Sequence, residues 1–158
     1  VEVVNVETAA EMLSAVEDAL PADAAIFAAA VADWHVTSAS DSKIKKDING
    51  IPALVLAENS DILATVSQLK EGRPGLVIGF AAETDDVIAN ATSKRERKGC
   101  DWIVANDVSP QTGIMGGEEN EVVLISAEGA DAWPRMGKTA VAELLASRIS
   151  LALGGEET

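Results

Sequence analysis

Basic side chains gather in two short segments of a chain that is otherwise acidic. Seven of its 12 lysines and arginines fall within residues 43–46 and 94–98. In extended backbone two lysines of the first segment point to the same side, and on a helix Lys94 and Lys98 lie one turn apart on one face. Two such pairs of ammonium groups, brought together by folding, could neutralise a polyphosphate. Two plainer interpretations stay open, because cations near a helix C-terminus complement the helix dipole and a lysine-rich loop can simply be solvated.

Polar or distinctive residues also follow three apolar runs, at the points where strands are expected to end. The first run ends at Asp33, the second leads through Phe80 to Thr84, and the third ends at Asn106. Ligands of open α/β sheets bind beyond the carboxyl ends of the strands, so we expect these three ends to lie along one rim. Each junction alone could be an ordinary strand-to-loop connection. The alanines of the first run could admit a flat base or ribose, or could only let a helix pack closely on the sheet.

Composition excludes several classes of function. The 158 residues suit one domain spanning residues 1–158, and the net charge of −14 disfavours a nucleic-acid or anionic-membrane surface. A single cysteine and a single histidine exclude a disulfide framework and a two-histidine metal centre. No apolar run reaches the roughly 18 residues that span a bilayer, and no secretory signal is visible, so a cytoplasmic location is expected. Because the chain begins at Val1 without a methionine, we expect it to lack an amino-terminal portion.

Predicted strands alternate with predicted helices almost throughout the chain. This order is typical of βαβ units, and it predicts a Rossmann-like three-layer α/β sandwich in which a mainly parallel sheet carries helices on both faces. A capping box at Thr8 and Glu11 marks the first helix, and Gly99 ends the basic third helix. The predicted strands are residues 1–6, 24–32, 54–56, 76–81, 101–105 and 121–126, the predicted loops are 33–42 and 106–120, and the predicted helices begin at Thr8, at Asn59 or Ser60, at Thr84 and near Lys138.

Several short motifs stand in the order and spacing of a known family. They are residues 8–12, 28–34 (AAAVADW), 43–46 (KIKK), 59–63 (NSDIL), 79–84 (GFAAET) and 98–106. With them the chain resembles the C-terminal part of bacterial phosphopantothenate–cysteine ligase, a CTP-dependent enzyme of coenzyme A biosynthesis. The resemblance implies that CTP activates the carboxylate of 4′-phosphopantothenate as an acyl-cytidylate with loss of pyrophosphate. The amine of cysteine then attacks the acyl carbon and releases CMP.

The same resemblance assigns site residues and partners. It makes Lys43 the best candidate for an essential catalytic residue, as a loop cation that closes over the triphosphate. It also implies magnesium ions that bridge the phosphates, with no assigned protein ligands, a homodimer, and a fused FMN-dependent decarboxylase outside this chain. Ser60 stands where the family usually has proline. The implied CTP-contacting residues are Phe27, Ala28, Ala29, Asp33, Lys43, Ser60, Asp61, Ile62, Leu63, Phe80, Lys94 and Lys98.

Other functions stay open at this point. A Rossmann-type reductase domain that uses NAD(P) would fit the fold, but the chain has no GxGxxG motif. A P-loop is rejected, because Gly137, Lys138 and Thr139 imitate its end while Ala132 occupies the place of its first glycine. A non-catalytic nucleotide-binding module and a purely structural sheet domain are the remaining alternatives.

Overall fold

The computed structural model of the protein describes residues 1–37, 53–110, 112–113 and 117–154. The chain divides into unit 1, which is Val1–Asp18 with Ala30–Asp61, and unit 2, which is Ala19–Ala29 with Ile62–Thr158. Within the described ranges there are four helices and nine short strands. The helices are α1 (Ala9–Asp18), α2 (Ile62–Ser67), α3 (Val87–Lys98) and α4 (Lys138–Ala152), and the strands are β1 (Ala24–Phe27), β2 (Trp34–Val36), β3 (Leu56–Glu58), β4 (Leu76–Glu83), β5 (Trp102–Asp107), β6 (Glu119–Asn120), β7 (Val122–Ser126), β8 (Gly129–Ala132) and β9 (Met136–Gly137).

Unit 2 is built on a five-stranded mixed sheet in the order β1-β4-β5-β7-β8. The first three of these strands are parallel, and β7 and β8 continue the sheet in antiparallel fashion as a hairpin. The first four residues of β4 and the apolar middle of β5, Ile103–Ala105, are buried, as expected of strands that are covered on both faces. The α/β class predicted from the sequence is confirmed.

Helices cover both faces of this sheet. On one face, alternate residues of β4, β5 and β7, such as Ile78 and Val104, pack with Val141 and Leu145 of α4 in a single buried cluster. On the other face, Leu63 of α2 lies against β4, and α3 packs on β4, β5 and β7. The predicted layer arrangement of helix, sheet and helix is therefore present in unit 2. Within the described ranges, none of the four helices has the length and apolar character that crossing a bilayer requires.

The capping box at the start of α1 is confirmed in detail. The main-chain N–H of Glu11 donates to Thr8 Oγ1 at 3.2 Å, and the N–H groups of Glu7 and Thr8 donate to Glu11 Oε2 at 2.8 and 3.0 Å. These two donors stabilise the carboxylate, so they lower the pKa of Glu11 below its ordinary value.

The start of α3 differs from the prediction, whereas its end agrees. Thr84 was expected to cap the helix, but β4 continues to Glu83, which lies opposite Asp107 of β5, so the chain turns only at Asp86. Asp86 adopts a left-handed conformation, with φ of 41°, and its side chain accepts no capping hydrogen bond. At the other end Gly99, with φ of 74°, donates its N–H to the carbonyl of Arg95 and closes the helix as predicted.

Three predicted strands need correction. Residues 1–6 form no strand, because this valine-rich segment finds no pairing partner among the described residues and its side chains stay exposed. The strand predicted at 24–32 ends at Phe27, and it is not buried on both faces, since β1 is an edge strand with Ile26 50% exposed. The strand predicted at 54–56 is shifted to β3, which pairs with β2 inside the predicted loop 33–42.

The remaining differences concern element ends. Helix α2 does not begin at Asn59 or Ser60, because the Asn59 side chain donates to the carbonyl of Ala32 at 2.8 Å. The predicted loop 106–120 is shorter at both ends, since Asn106 belongs to β5 and β6 pairs with β9. The strand predicted at 121–126 is confirmed as β7 in a hairpin, although β8 and not β7 forms the sheet edge.

Candidate functional site

Gly79 and Phe80, near the middle of β4, are the point at which the predicted contacts of unit 2 meet. Phe27, the last residue of β1, lies opposite Gly79 in the parallel ladder. Leu63 of α2 packs against the Gly79 backbone from one face of the sheet. The Nζ atom of Lys94 donates to the main-chain carbonyl of Phe80 at 3.0 Å. Three residues that were predicted to contact one ligand, Phe27, Leu63 and Lys94, thus lie against one dipeptide, and its Phe80 is itself a fourth predicted contact.

Among the described residues, Lys94 is the cation best placed to contact a ligand there. Its side chain is half-buried, and no described carboxylate forms a salt bridge with it. An ammonium group has three donors, so the bond to Phe80 leaves two of them for an anion. Lys94 also lies outside the last turn of α3, where Arg95, Arg97 and Lys98 complement the helix dipole. The dipole interpretation therefore accounts for its neighbours better than for Lys94 itself.

Three further predicted contacts, Lys98 of α3 and Ile62 and Leu63 of α2, differ from Lys94 in burial or in position on their helix. Lys98 is half-buried in the last turn of α3, one turn beyond Lys94. Ile62 and Leu63 are almost completely buried, so their side chains belong to the core. Any contact that these two residues make with a ligand must run mainly through their main-chain groups.

The alanines after β1 are open rather than buried. Ala28 and Ala29 are exposed and follow the last strand residue, Phe27, which is half-buried. The expected close approach of a flat group to a small-residue backbone is therefore sterically possible at these positions, although not within a strand.

Unit 1 brings a second group of predicted residues together. The β2–β3 ribbon places Asp33 beside Asn59, whose N–H donates to the Asp33 carbonyl at 2.8 Å. The side chains of Asp33, Ser60 and Asp61 all lie on exposed positions. Lys43, the predicted catalytic residue, lies outside the described residues.

The carboxyl ends of β4 and β5 lie side by side, as the strand-end analysis expected, but the surface beyond β5 is acidic. A cavity of about 620 Å³ is lined there by the first turn of α3 together with parts of β5 and β7. Its carboxylates are Asp86, Asp107 and Glu121, and its floor is largely aliphatic. The carboxylates of this cavity would repel a polyphosphate. The surface beside Phe80, Lys94 and Lys98, called the basic side of β4 below, is therefore the better anion site.

Hydrogen bonds hold the end of β5 in place. The Asp107 carboxylate accepts the N–H of Ser109 at 2.8 Å, and hydrogen bonds from the side chain and the main chain of Ser109 lower the pKa of Asp107. The Asn106 side chain donates to Asn120 Oδ1 at 3.3 Å. These contacts fix the positions of the Asp107 carboxylate and the Asn106 side chain at the end of β5.

Magnesium finds no ready-made protein site in the part of the chain that the structure describes. No group of three or more His, Cys, Asp or Glu side chains there is arranged to hold a metal ion.

Sequence analysis missed the role of Gly79. A glycine inside a strand that is otherwise apolar is the available signal, since it often marks a close approach of another element to the backbone. The contact between Lys94 and the Phe80 carbonyl could not be read from spacing, because it joins residues 14 apart across a helix and a strand.

Comparison with known proteins finds relatives along nearly the whole chain. The family model for the DNA/pantothenate metabolism flavoprotein C-terminal domain matches residues 1–152. The coenzyme A biosynthesis bifunctional protein CoaBC of Vibrio vulnificus (strain YJ016) is 36% identical over 153 residues, which cover 96% of this chain and 38% of that protein. CoaBC of Thermococcus kodakarensis is 38% identical over 150 residues, which cover 90% of this chain and 35% of that protein. The chain thus spans well under half the length of these curated relatives.

Solved structures agree with these relatives. The crystal structure of the C-terminal domain of CoaBC superposes with a TM-score of 0.72 at 32% identity, covering 95% of this chain and 65% of that one. A Cab2 variant in complex with phosphopantothenate-cysteine superposes with a TM-score of 0.50 at 20% identity, covering 78% of this chain and 43% of that one. The second likeness concerns the fold alone.

Proposed function

The chain belongs to the DNA/pantothenate metabolism flavoprotein C-terminal domain family, and we propose that, within a longer protein, it forms the CTP-binding part of a phosphopantothenate–cysteine ligase. The convergence of Phe27, Leu63, Phe80 and Lys94 on the middle of β4 is the observation that carries the proposal. The CoaBC relatives support the place of this ligase in coenzyme A biosynthesis. The choice of substrates rests on the motifs that the chain shares with phosphopantothenate–cysteine ligases.

In the proposed reaction the carboxylate of 4′-phosphopantothenate attacks the α-phosphorus of CTP. A new C–O–P bond forms, the bond to the β-phosphate oxygen breaks, and pyrophosphate leaves with the electron pair. The neutral amine of cysteine then attacks the acyl carbon, loses a proton, and expels CMP as the amide bond forms. Neither step needs a covalent bond to the protein, so the protein acts by alignment and by neutralising charge.

Lysine side chains supply most of the charge neutralisation in this proposal. Lys94 is held by Phe80 with two donors left over, and Lys98 stands one turn away on the same helix face. We assign both to the triphosphate and Lys43 to the same group as a closing loop cation. The remaining predicted residues would hold the base and ribose; they are Phe27, Ala28, Ala29, Asp33, Ser60, Asp61, Ile62 and Leu63.

Magnesium belongs to the proposal as an ion that the nucleotide brings. When bound, it would withdraw charge from the phosphates and so assist the departure of pyrophosphate. Lys94 and Lys98 would then neutralise the phosphate oxygens that the metal ion leaves uncovered.

The proposal also includes partners. The names of the CoaBC relatives describe bifunctional proteins, which supports a fused flavin-dependent decarboxylase outside this chain, with FMN belonging to that part. A homodimer and a cytoplasmic location complete the proposal, the latter because the cytosol keeps free cysteine reduced.

Assay of the full-length protein that contains this chain tests the proposal. We expect pyrophosphate release that needs both CTP and 4′-phosphopantothenate, and CMP release once cysteine is added. Lys43→Gln should abolish acyl-cytidylate formation while the circular dichroism spectrum stays native. NADPH oxidation without pyrophosphate would favour the reductase alternative, and CTP binding without pyrophosphate release would favour a non-catalytic module.

A further inference from the structure

We infer that Gly79 is a positioning residue of the nucleotide site, a role that rests on the function proposed above. Gly79 is buried in β4 and belongs to none of the predicted ligand contacts. It lies opposite Phe27, it is covered by Leu63, and it precedes the residue whose carbonyl holds Lys94. Three elements that carry proposed CTP contacts, β1, α2 and α3, therefore contact β4 at or next to this residue.

The position excludes any side chain for steric reasons. A Cβ atom at Gly79 would lie 2.6 Å from Leu63 Cδ2 and 2.9 Å from Ile103 Cδ1, closer than real Cβ contacts allow. Leu63 is 9% exposed and Ile103 is fully buried, so a shift of either side chain must displace closely packed neighbours. The backbone of Gly79 is not in a left-handed conformation, so what the site requires is the missing side chain and not glycine's flexibility.

Displacement of α2 is the expected consequence of filling this gap. Leu63 lies in the first turn of the six-residue helix α2, and Ile62, Leu63 and Val66 anchor that helix in the core. A methyl group under Leu63 would push the start of α2 away from the sheet, along with the main-chain groups assigned to CTP. A shift of the Gly79 backbone would also move the Phe80 carbonyl in the next peptide unit, and with it the Lys94 ammonium group.

The experiment compares Gly79→Ala with Gly137→Ala, whose added Cβ would meet no atom within 4 Å. Hydrogen exchange of the α2 amides and titration with CTP and magnesium chloride are measured on both variants and on the unsubstituted chain. We expect Gly79→Ala to raise exchange in α2 above that in α3, and to weaken CTP binding roughly tenfold. Gly137→Ala should match the unsubstituted chain in both measurements.

A double variant separates positioning from general stability. Gly79→Ala combined with Leu63→Val removes both Leu63 Cδ atoms, including the nearest atom at 2.6 Å, and leaves Ile103 Cδ1 at 2.9 Å. We therefore expect α2 protection and CTP affinity to return most of the way to those of Leu63→Val alone. The double variant also carries the test if Gly79→Ala does not fold. Native α2 exchange in Gly79→Ala, or a loss that Leu63→Val fails to reverse, would overturn the inference. Absence of CTP binding by the unsubstituted chain would instead contradict the proposed function, while α2 exchange still decides whether Gly79 sets the position of that helix.

Discussion

The two ends of helix α3 carry opposite charges and border different parts of the sheet. Its first turn follows Asp86 and lines the acidic cavity over β5 and β7. Its later turns carry Lys94 and Lys98, and Lys94 reaches the Phe80 carbonyl on β4. The helix dipole is stabilised by acids at the N-terminal end and by cations at the C-terminal end, so this distribution satisfies the helix before any ligand binds.

Because the cations of α3 lie near its C-terminal end, the proposed phosphates would bind where the negative end of the helix dipole opposes them. Many proteins hold anions at helix N-termini, where free N–H groups and the dipole both help. In this protein the N-terminal end of α3 is blocked to anions by carboxylates, and the C-terminal end depends on side-chain cations to overcome the partial negative charge of the helix. If the proposed function holds, we therefore expect Lys94 and Lys98 to be necessary for CTP binding.

Loss of Lys94 should have the largest effect. Lys94→Gln removes a half-buried charge that no described carboxylate offsets, while the amide can still donate to the Phe80 carbonyl. We expect CTP binding, measured by calorimetry, to weaken roughly a hundredfold with an unchanged melting temperature. Asp86→Asn is the matched control, because it removes one charge at the opposite end of α3 from a left-handed position that asparagine tolerates. Equal losses from the two variants would contradict the distinction between the ends.

Arg73 anchors the basic end, and its loss should lower stability rather than affinity. The Arg73 guanidinium donates to the carbonyl of Ser67 at 2.7 Å and to Asp101 Oδ2 at 2.9 Å, and more weakly to the Gly99 carbonyl. It thereby ties the ends of α2 and α3 to the start of β5. Arg73→Ala should lower the free energy of unfolding by about 2 kcal/mol in urea titrations, because these bonds are charge-assisted and partly shielded from water. A loss confined to CTP affinity, with native stability, would show that this anchor has been misassigned.

Loss of the Asp107 carboxylate, which lines the acidic cavity, should have the smallest effect. We expect it to lower thermal stability slightly, by an amount that depends on pH. Hydrogen bonds from Ser109 lower the pKa of Asp107 in the folded protein below its ordinary value. The stability that they contribute is therefore present above that value and is lost as the pH falls through the lower folded pKa. Thermal unfolding of Asp107→Asn and the unsubstituted chain should differ slightly at pH 6 and converge as the pH approaches 3. If the stability difference between the two proteins grew as the pH fell, the ionised Asp107 carboxylate would not be the form that stabilises the fold.

The buried parts of the fold were predictable, because their patterns are local. Strands β4 and β5 each contain a continuous apolar run, and Gly99 and the Thr8 capping box are short signals with a single physical meaning. The β2–β3 ribbon was not predictable, since it joins residues about 20 apart through exposed positions that have no alternation. Residues 1–6 show the converse error, because valine-rich sequence favours a strand only when a partner strand is available.

The sequence indicated which residues belong to the candidate site, but it did not indicate how those residues contact one another. The spacing of Lys94 and Lys98 on one helix face indicated an anion site, and motif resemblance added Phe27, Leu63 and Phe80. The carbonyl that holds Lys94 and the gap at Gly79 depend on how α2 and α3 dock on the sheet. Such docking is a tertiary property that neither propensity nor periodicity encodes.

Backbone amide NMR of this chain during titration with CTP and magnesium chloride tests the central claim most directly. If the basic side of β4 holds the nucleotide, the largest shift changes will fall on Leu63, Phe80 and Lys94, and Lys94→Gln will suppress them. Largest changes at Asp86, Asp107 and Val123, around the acidic cavity, would contradict the account.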